Sequence, residues 1–149
     1  MSEEKEVKTA AEAVAGARDI LAEMISDKAD YRIYIRKITE QEGMICSSAK
    51  DEKAESVYDK YYNYEEPISK VAGHRVLALN RGEKEKFLTV KINAPEERIL
   101  RYLEKQIIIN ENPNTKTVLQ EVIDDSYHRL IQPAIEREIR SELTEKAED

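Results

Sequence analysis

The sequence predicts a mainly α-helical protein: a single multi-helical domain over residues 1–149, with a small two-stranded β-ribbon and a long C-terminal helix. Its 149 residues match the usual size of one domain and suffice to bury a core. Charged residues make up 37% and aromatic residues 6%, with no Trp, which favours a surface-rich helical protein over a sandwich or barrel. Apolar residues also recur at helical spacing along most of the chain.

The first helix is predicted to follow a charged start, residues 1–8, which we expect to be disordered. Thr9 and Glu12 form a capping box, in which each side chain satisfies a free backbone N–H of the first turn. The helix should end near Ser26. We expect its apolar face to enter the core; its residues are Val14, Ala17, Ile20, Leu21, Met24 and Ile25.

A second helix should begin close to Asp30 and end before Gly43, which is placed to close it in a left-handed conformation. Its predicted buried residues are Tyr31, Tyr34, Ile35 and Ile38.

Two short apolar segments, 44–48 and 87–92, are predicted to be strands that pair with each other. Between them, Tyr58, Tyr61 and Tyr62 have the spacing of one helical face. Such a cluster could stack on unpaired bases, but packing between helices is the favoured interpretation. The apolar spacing of residues 68–79 predicts a further helix, with Gly82 placed to cap it.

Pro95, followed by two glutamates, has the composition of another helix start. The segment NENPN, residues 110–114, should then break the chain. A long charged helix is predicted over residues 115–146, with an apolar stripe along it. Pro133 lies inside this segment, so we expect a kink or a brief interruption there.

The net charge of −7 is unevenly distributed, because both ends are acidic and the middle is slightly basic. Any contact with phosphate should therefore be made by the middle of the chain. Glutamates alternate with the lysines there, so a solvated loop is the favoured interpretation and phosphate binding is the alternative. The candidate nucleic-acid-binding residues are Arg75, Arg81, Lys84, Lys86 and Lys91.

Nothing in the sequence predicts catalysis, a metal or a cofactor. Asp124, Ser126 and His128 are two residues apart, so a helix would direct them away from one another. Cys46 lies in an apolar strand, and we expect a buried, inert thiol. The start lacks the apolar segment of a signal peptide, and no run is long enough to span a membrane, so a cytoplasmic protein is expected.

Three blocks in this sequence resemble the bacterial transcription accessory protein family Tex. They are AGARDILAEMISDKAD, YYNYEEPISKVAGHRVLALNRGEKEKFLTVKI and IQPAIEREIRSELTEKAED, and their order and separation are also similar. The middle block is the most specific. The family usually has glycine at the position of Lys86, which leaves the geometry of that turn open.

The resemblance implies that this chain is part of the N-terminal helical region of a longer multidomain protein. Tex-like proteins also contain an RNase-H-like domain, helix-hairpin-helix modules and an OB-fold RNA-binding domain. The implied function is a non-enzymatic scaffold of a transcription factor that binds RNA or single-stranded DNA, mainly through domains absent from this chain. The alternative is a protein-interaction module that docks on RNA polymerase or on its own downstream domains, suggested by the apolar stripe of the last helix.

Overall fold

The computed structural model describes residues 3–109 and 112–148, with side chains from residue 15 onward. The chain forms two compact units. The first unit contains the described parts of residues 1–33 and 97–133, and the second contains residues 34–96 and 134–148. None of the described helices combines the length and the apolar character that a membrane crossing requires.

Helices dominate both units, and a small sheet belongs to the second. The elements in chain order are α1 (Glu3–Asp27), α2 (Ala29–Glu42), β1 (Met44–Ala49), β2 (Asn63–Pro67), α3 (Gly73–Lys84), β3 (Leu88–Asn93), α4 (Glu96–Ile107), α5 (Pro113–Asp125), a π-helical segment (Ser126–Ile131) and α6 (Gln132–Glu148). This architecture confirms the predicted mainly helical class and the long C-terminal helix.

Helix α1 begins at Glu3, so the predicted start at Thr9 is wrong. Met1 and Ser2, from the stretch that we expected to be disordered, lie outside the described residues. The predicted capping box involves side chains that also lie outside the described part of the structure.

The predicted buried face of α1 is also largely wrong. Ile25 is buried, but Ile20, Leu21 and Met24 are exposed. The face that packs in the first unit instead carries small residues, Ala22 and Ser26, both nearly inaccessible.

Small residues are buried because the backbones of α1 and the π-helical segment approach closely. Ser126 is fully buried, and its hydroxyl donates a 2.6 Å hydrogen bond to the carbonyl oxygen of Ala22. A larger side chain at Ala22 would separate the two segments. The core of the first unit is completed by Tyr31, Ile99, Leu103, Val122, Ile123, Tyr127 and Ile131.

The predicted buried face of α2 is mostly confirmed: Tyr31, Ile35 and Ile38 are buried, and Tyr34 is half-buried. Gly43 follows its end but does not have a positive φ. A Cβ atom there would lie 3.1 Å from the Asn93 carbonyl oxygen and closer still to that of Thr39. Gly43 is therefore needed for close backbone approach rather than for a left-handed helix end.

The predicted pairing of the two strands is confirmed, but the ribbon is a three-stranded antiparallel sheet in the order β2-β1-β3. The missed strand, β2, pairs Glu65 with Cys46 on β1, and on the other side Cys46 pairs with Lys91 of β3. Along β1 and β3 alternate residues are buried against the second unit's helices. The other face of the sheet is polar and accessible.

Gly82 does not cap α3 as predicted, because the helix continues to Lys84. Gly82 is buried, and a Cβ atom there would lie 2.8 Å from Cγ of Leu88 and 3.2 Å from the Tyr58 ring. The left-handed position is Lys86, with φ of 68°. The tight turn between α3 and β3 is therefore formed with lysine where the resembling family usually has glycine.

The last helical run extends from Pro113 to Glu148 and confirms the predicted long helix. Its interruption is the π-helical segment, which ends two residues before Pro133. Proline supplies no N–H to the preceding turn, which favours a change of hydrogen-bond pattern just before it. The run contributes to both units, because α5 packs in the first and most of α6 belongs to the second.

Candidate nucleic-acid interface

Arg75 is held within the second unit rather than presented to a ligand. It lies in the first turns of α3, and its Nε and Nη2 atoms donate to the two carboxylate oxygens of Glu66 on β2, at 2.6 and 3.1 Å. The Glu66 side chain is 15% exposed and that of Arg75 is 31% exposed. This two-point ion pair joins a strand to a helix, so Arg75 has a structural role.

Glu66 also accepts a hydrogen bond from Tyr64. Burial by itself would raise the pKa of Glu66, but the hydrogen bonds from Arg75 and Tyr64 outweigh it and hold this pKa below its ordinary value. Burial and the bond to Glu66 raise the pKa of Tyr64 to about 12. The sequence carried no signal for this cluster, because strand β2 was not predicted.

Arg81, Lys84 and Lys86 are exposed and lie together along the chain where α3 ends and turns into β3. We call these three residues the basic turn. The backbone of this turn lies close to the core, because Gly82 is buried against the side chains of Leu88 and Tyr58. Glu85 in the same turn accepts a hydrogen bond from the Tyr58 hydroxyl, and Glu83 accepts one from Arg140. The charge of Glu83 is offset by Arg140, whereas Glu85 keeps its negative charge beside the basic turn because its partner is a neutral hydroxyl.

Lys91 is separate from the basic turn. It is exposed on the outer face of β3, where it borders a shallow concavity of about 430 Å³. The other polar side chains that line this concavity include Asn63, Thr89 and Asn93. Of the five predicted residues, Arg81, Lys84 and Lys86 are exposed neighbours in sequence at the end of α3, Lys91 lies on the sheet, and Arg75 is paired with Glu66. Whether they contact nucleic acid stays a prediction.

The tyrosine cluster packs inside the second unit. Tyr58 and Tyr61 are buried, and the Tyr61 ring lies edge-on to Tyr64 with centroids 5.2 Å apart. The Tyr62 hydroxyl donates to the Ala54 carbonyl oxygen at 2.6 Å. The rings thus pack within the fold, but Tyr61 lies against β2 and Tyr58 lies against Phe87, with ring centroids 5.9 Å apart, so the predicted packing between helices is wrong. Stacking on unpaired bases stays the alternative.

Cys46 is half-buried on the same sheet face as Lys91. Burial, and then the bond from its thiol to Glu65, raise the pKa of Cys46. A raised pKa leaves little thiolate, which agrees with the predicted low reactivity, but the predicted burial is wrong because Cys46 lies on the accessible face of the sheet. Among the described side chains, residues 15–109 and 112–148, no cluster of His, Cys, Asp and Glu could hold a metal ion.

The residues Asp124, Ser126 and His128 point in different directions, as the sequence indicated. The Ser126 hydroxyl is buried against α1, whereas Asp124 and His128 are exposed. His128 Nδ1 lies 3.0 Å from the Asp124 carbonyl oxygen and 3.3 Å from its carboxylate. This contact is local to one helical turn and does not include the serine.

Comparison with known proteins gives a consistent assignment. A family model described as Tex central region-like matches residues 1–149. The Bacillus subtilis (strain 168) protein YdcI, itself uncharacterised, is 56% identical over 152 residues, covering 100% of this chain and 21% of YdcI. The Homo sapiens S1 RNA-binding domain-containing protein 1 is 30% identical over 151 residues, covering 89% of this chain and 15% of the human protein.

A third relative is an Arabidopsis thaliana transcription elongation factor SPT6 homolog, 27% identical over 146 residues, covering 89% of this chain and 9% of that protein. The chain thus spans about a fifth or less of the length of these relatives. The resemblance seen in the three sequence blocks is confirmed by the match over the whole chain. This chain belongs to the Tex central region-like family, a Tex- and SPT6-like group associated with transcription.

Proposed function

We propose that this chain is a non-enzymatic helical scaffold segment of a bacterial, cytoplasmic Tex-like transcription accessory factor that binds RNA or single-stranded DNA. In this proposal the chain is one part of a longer multidomain protein, and most of the nucleic-acid affinity lies in other parts. Family membership supports the proposal, as do relatives named for RNA binding and for transcription elongation.

The scaffold role rests on one observation: the charged side chains of α6 are used to hold the second unit together. Arg140 donates to Asn80 and Glu83 of α3, each at 2.8 Å. Glu136 accepts the backbone N–H of Ile92 at 3.0 Å and so covers a free donor on the sheet edge. A helix whose polar side chains fix a neighbouring helix and a strand is suited to support rather than to chemistry.

The nucleic-acid contact that we propose for this chain is the basic turn, with Lys91 as a separate secondary site. Three exposed cations on one turn can contact phosphates without reading bases. The net charge of −7 opposes the approach of nucleic acid to the rest of the surface. Binding by this chain alone should therefore be weak and strongly dependent on salt.

The test is a titration of fluorescently labelled single-stranded RNA at several salt concentrations. The variant replaces the basic turn by Arg81→Gln, Lys84→Gln and Lys86→Gln together. Each phosphate contact to a single strand contributes about 0.7 to the slope of log K against log salt, so losing three should reduce that slope by roughly 2.

A matched control removes three exposed positive charges from the first unit, by Arg101→Gln, Lys105→Gln and Lys116→Gln, and should leave the slope nearly unchanged. An absence of RNA binding by the parent chain at low salt would remove direct contact from the proposal. Equal losses in both variants would show that only net charge matters and would remove the basic turn as a site.

Docking on RNA polymerase or on downstream domains stays the alternative proposal, but its original motive is weakened. Most of the apolar stripe of the last helix is buried in the cores of the two units and is not accessible to a partner. Its buried residues are Val122, Ile123, Ile131, Ile135 and Ile139. A pull-down against polymerase subunits tests this alternative.

A further inference from the structure

Helix α1 has an apolar stripe on its accessible side. Ile20 and Met24 are 60% and 62% exposed and Leu21 is 40% exposed, while Ala17 is also exposed. These four residues have the spacing i, i+3, i+4 and i+7, so they form one continuous helical face. We call them the α1 stripe.

The first unit does not use this stripe for its own core. It packs through Ala22, Ile25 and Ser26, which lie on the opposite side of the helix. Isolated exposed apolar residues, such as Val57, are normal on protein surfaces. Several large ones on one helical face are uncommon and indicate a surface that another molecule covers.

A row of carboxylates borders the α1 stripe. Asp19, Glu23 and Asp27 recur at intervals of four residues, and all three are exposed. Residues four apart lie one above another along a helix, so the row runs parallel to the line from Ile20 to Met24. At one end, Asp19 lies 3.6 Å from Arg129. We call these three residues the acidic row.

We propose that the α1 stripe and the acidic row together bind a basic amphipathic helix of a second protein. Rows of side chains four residues apart form the ridges that pack into the grooves of a facing helix. The partner's apolar face would cover the α1 stripe, and its Lys or Arg side chains would meet the acidic row at one flank. Two copies of α1 facing each other in antiparallel orientation would place one acidic row against the other, which disfavours antiparallel self-pairing. The inference is independent of nucleic-acid binding, because the basic turn lies in the other unit.

The test uses the whole 149-residue chain and a labelled synthetic peptide with leucines on one helical face and lysines at every fourth position along one flank. Fluorescence anisotropy measures binding at low and high salt. The variant Ile20→Ala, Leu21→Ala, Met24→Ala should weaken binding by about tenfold or more, because alanine truncates the apolar contacts. The same residues are exposed, so the fold should persist, as circular dichroism can check.

A charge variant, Glu23→Gln with Asp27→Asn, should weaken binding several-fold at low salt and much less at high salt. The matched control, Val57→Ala with Val118→Ala, removes exposed apolar side chains elsewhere and should leave the affinity unchanged.

Equal binding of a scrambled peptide, or no change in the α1-stripe variant, would overturn the proposal. Light scattering that finds a dimer dissociated by that variant would identify a second copy as the occupant and would also overturn it. An array of overlapping peptides from the YdcI sequence tests whether the α1 stripe is covered by another segment of the same protein instead of by a second protein. Tighter binding of one of those segments at the α1 stripe would show that a Tex-like chain covers it itself, against our proposal.

Discussion

Arg75 of α3 and Glu66 of β2 form a two-point ion pair, with Nε and Nη2 of the arginine 2.6 and 3.1 Å from the two carboxylate oxygens. The pair joins strand β2, which was not predicted from the sequence, to helix α3, which was predicted. It also engages the guanidinium of a candidate nucleic-acid-binding residue, whose side chain is 31% exposed, and it makes the stability of the second unit sensitive to charge.

Replacing Arg75 should therefore affect stability more than RNA affinity. We expect Arg75→Met to lower the free energy of unfolding, because it removes two hydrogen bonds to the carboxylate of Glu66, whose side chain is only 15% exposed. Urea unfolding measures this change. Lys84→Met, at an exposed position at the opposite end of the same helix, serves as the control and should stay within about 0.5 kcal/mol. A result in which both variants are equally stable would contradict the structural role of Arg75.

Acid should destabilise the protein partly through Glu66. Its pKa is lower in the folded protein than its ordinary value of 4.5. A carboxylate with a lowered folded pKa contributes stability above its unfolded pKa, and this contribution is lost as the pH falls through the folded value. The difference in unfolding free energy between wild type and Glu66→Gln should hence be largest near neutral pH and shrink below about pH 4. A difference that is independent of pH would count against this account.

Tyr64 should ionise late in an alkaline titration. Burial and its bond to Glu66 raise its pKa to about 12. Because the folded pKa is the higher one, the stabilising contribution is complete below about pH 10 and is lost as the pH rises through about 12. Phenolate absorbance of wild type minus that of Tyr64→Phe isolates this group. A difference titration centred near the ordinary tyrosine pKa of 10 would refute the assignment.

Lys86→Gly should stabilise the protein. Lysine at φ of 68° bears the steric strain of the left-handed region, which glycine avoids. Glycine also adds conformational entropy to the unfolded chain, so a net gain of up to about 1 kcal/mol is expected. Lys86→Ala removes the charge but keeps the Cβ atom, and it should show no such gain. Thermal unfolding of the two variants separates conformation from charge.

Two glycine-to-alanine changes should have opposite effects. At Gly82 a methyl group would collide with Leu88 and Tyr58, so we expect Gly82→Ala to cost about 1–3 kcal/mol. At Gly16, within α1, nothing lies within 4 Å of an added Cβ atom. Gly16→Ala should accordingly stabilise the helix by up to about 1 kcal/mol. Chemical denaturation of both variants tests the contrast, and a loss of stability at Gly16 would contradict the open surface there.

Local patterns were sufficient to predict most of the elements. Helical periodicity and the flanking Pro and Gly residues located α2, α4 and the long C-terminal run, and β-branched alternation located β3. Each of these patterns involves residues that are close in sequence. It can therefore be recognised without knowing which distant segment packs against the helix or strand. The family was also accessible from the sequence, because the middle block is specific in residue order.

Which face of α1 is buried, and what Arg75 does, were decided only by the tertiary structure. Periodicity shows that α1 has an apolar face, but close packing on Ser126 selected the small residues Ala22 and Ser26 and left Ile20 and Met24 accessible. Similarly, β2 is a strand because β1 offers it hydrogen-bond partners, and Glu66 then meets Arg75. The volume of the contacting side chains and the pairing of distant segments set these outcomes, and neither is encoded in the spacing of nearby residues.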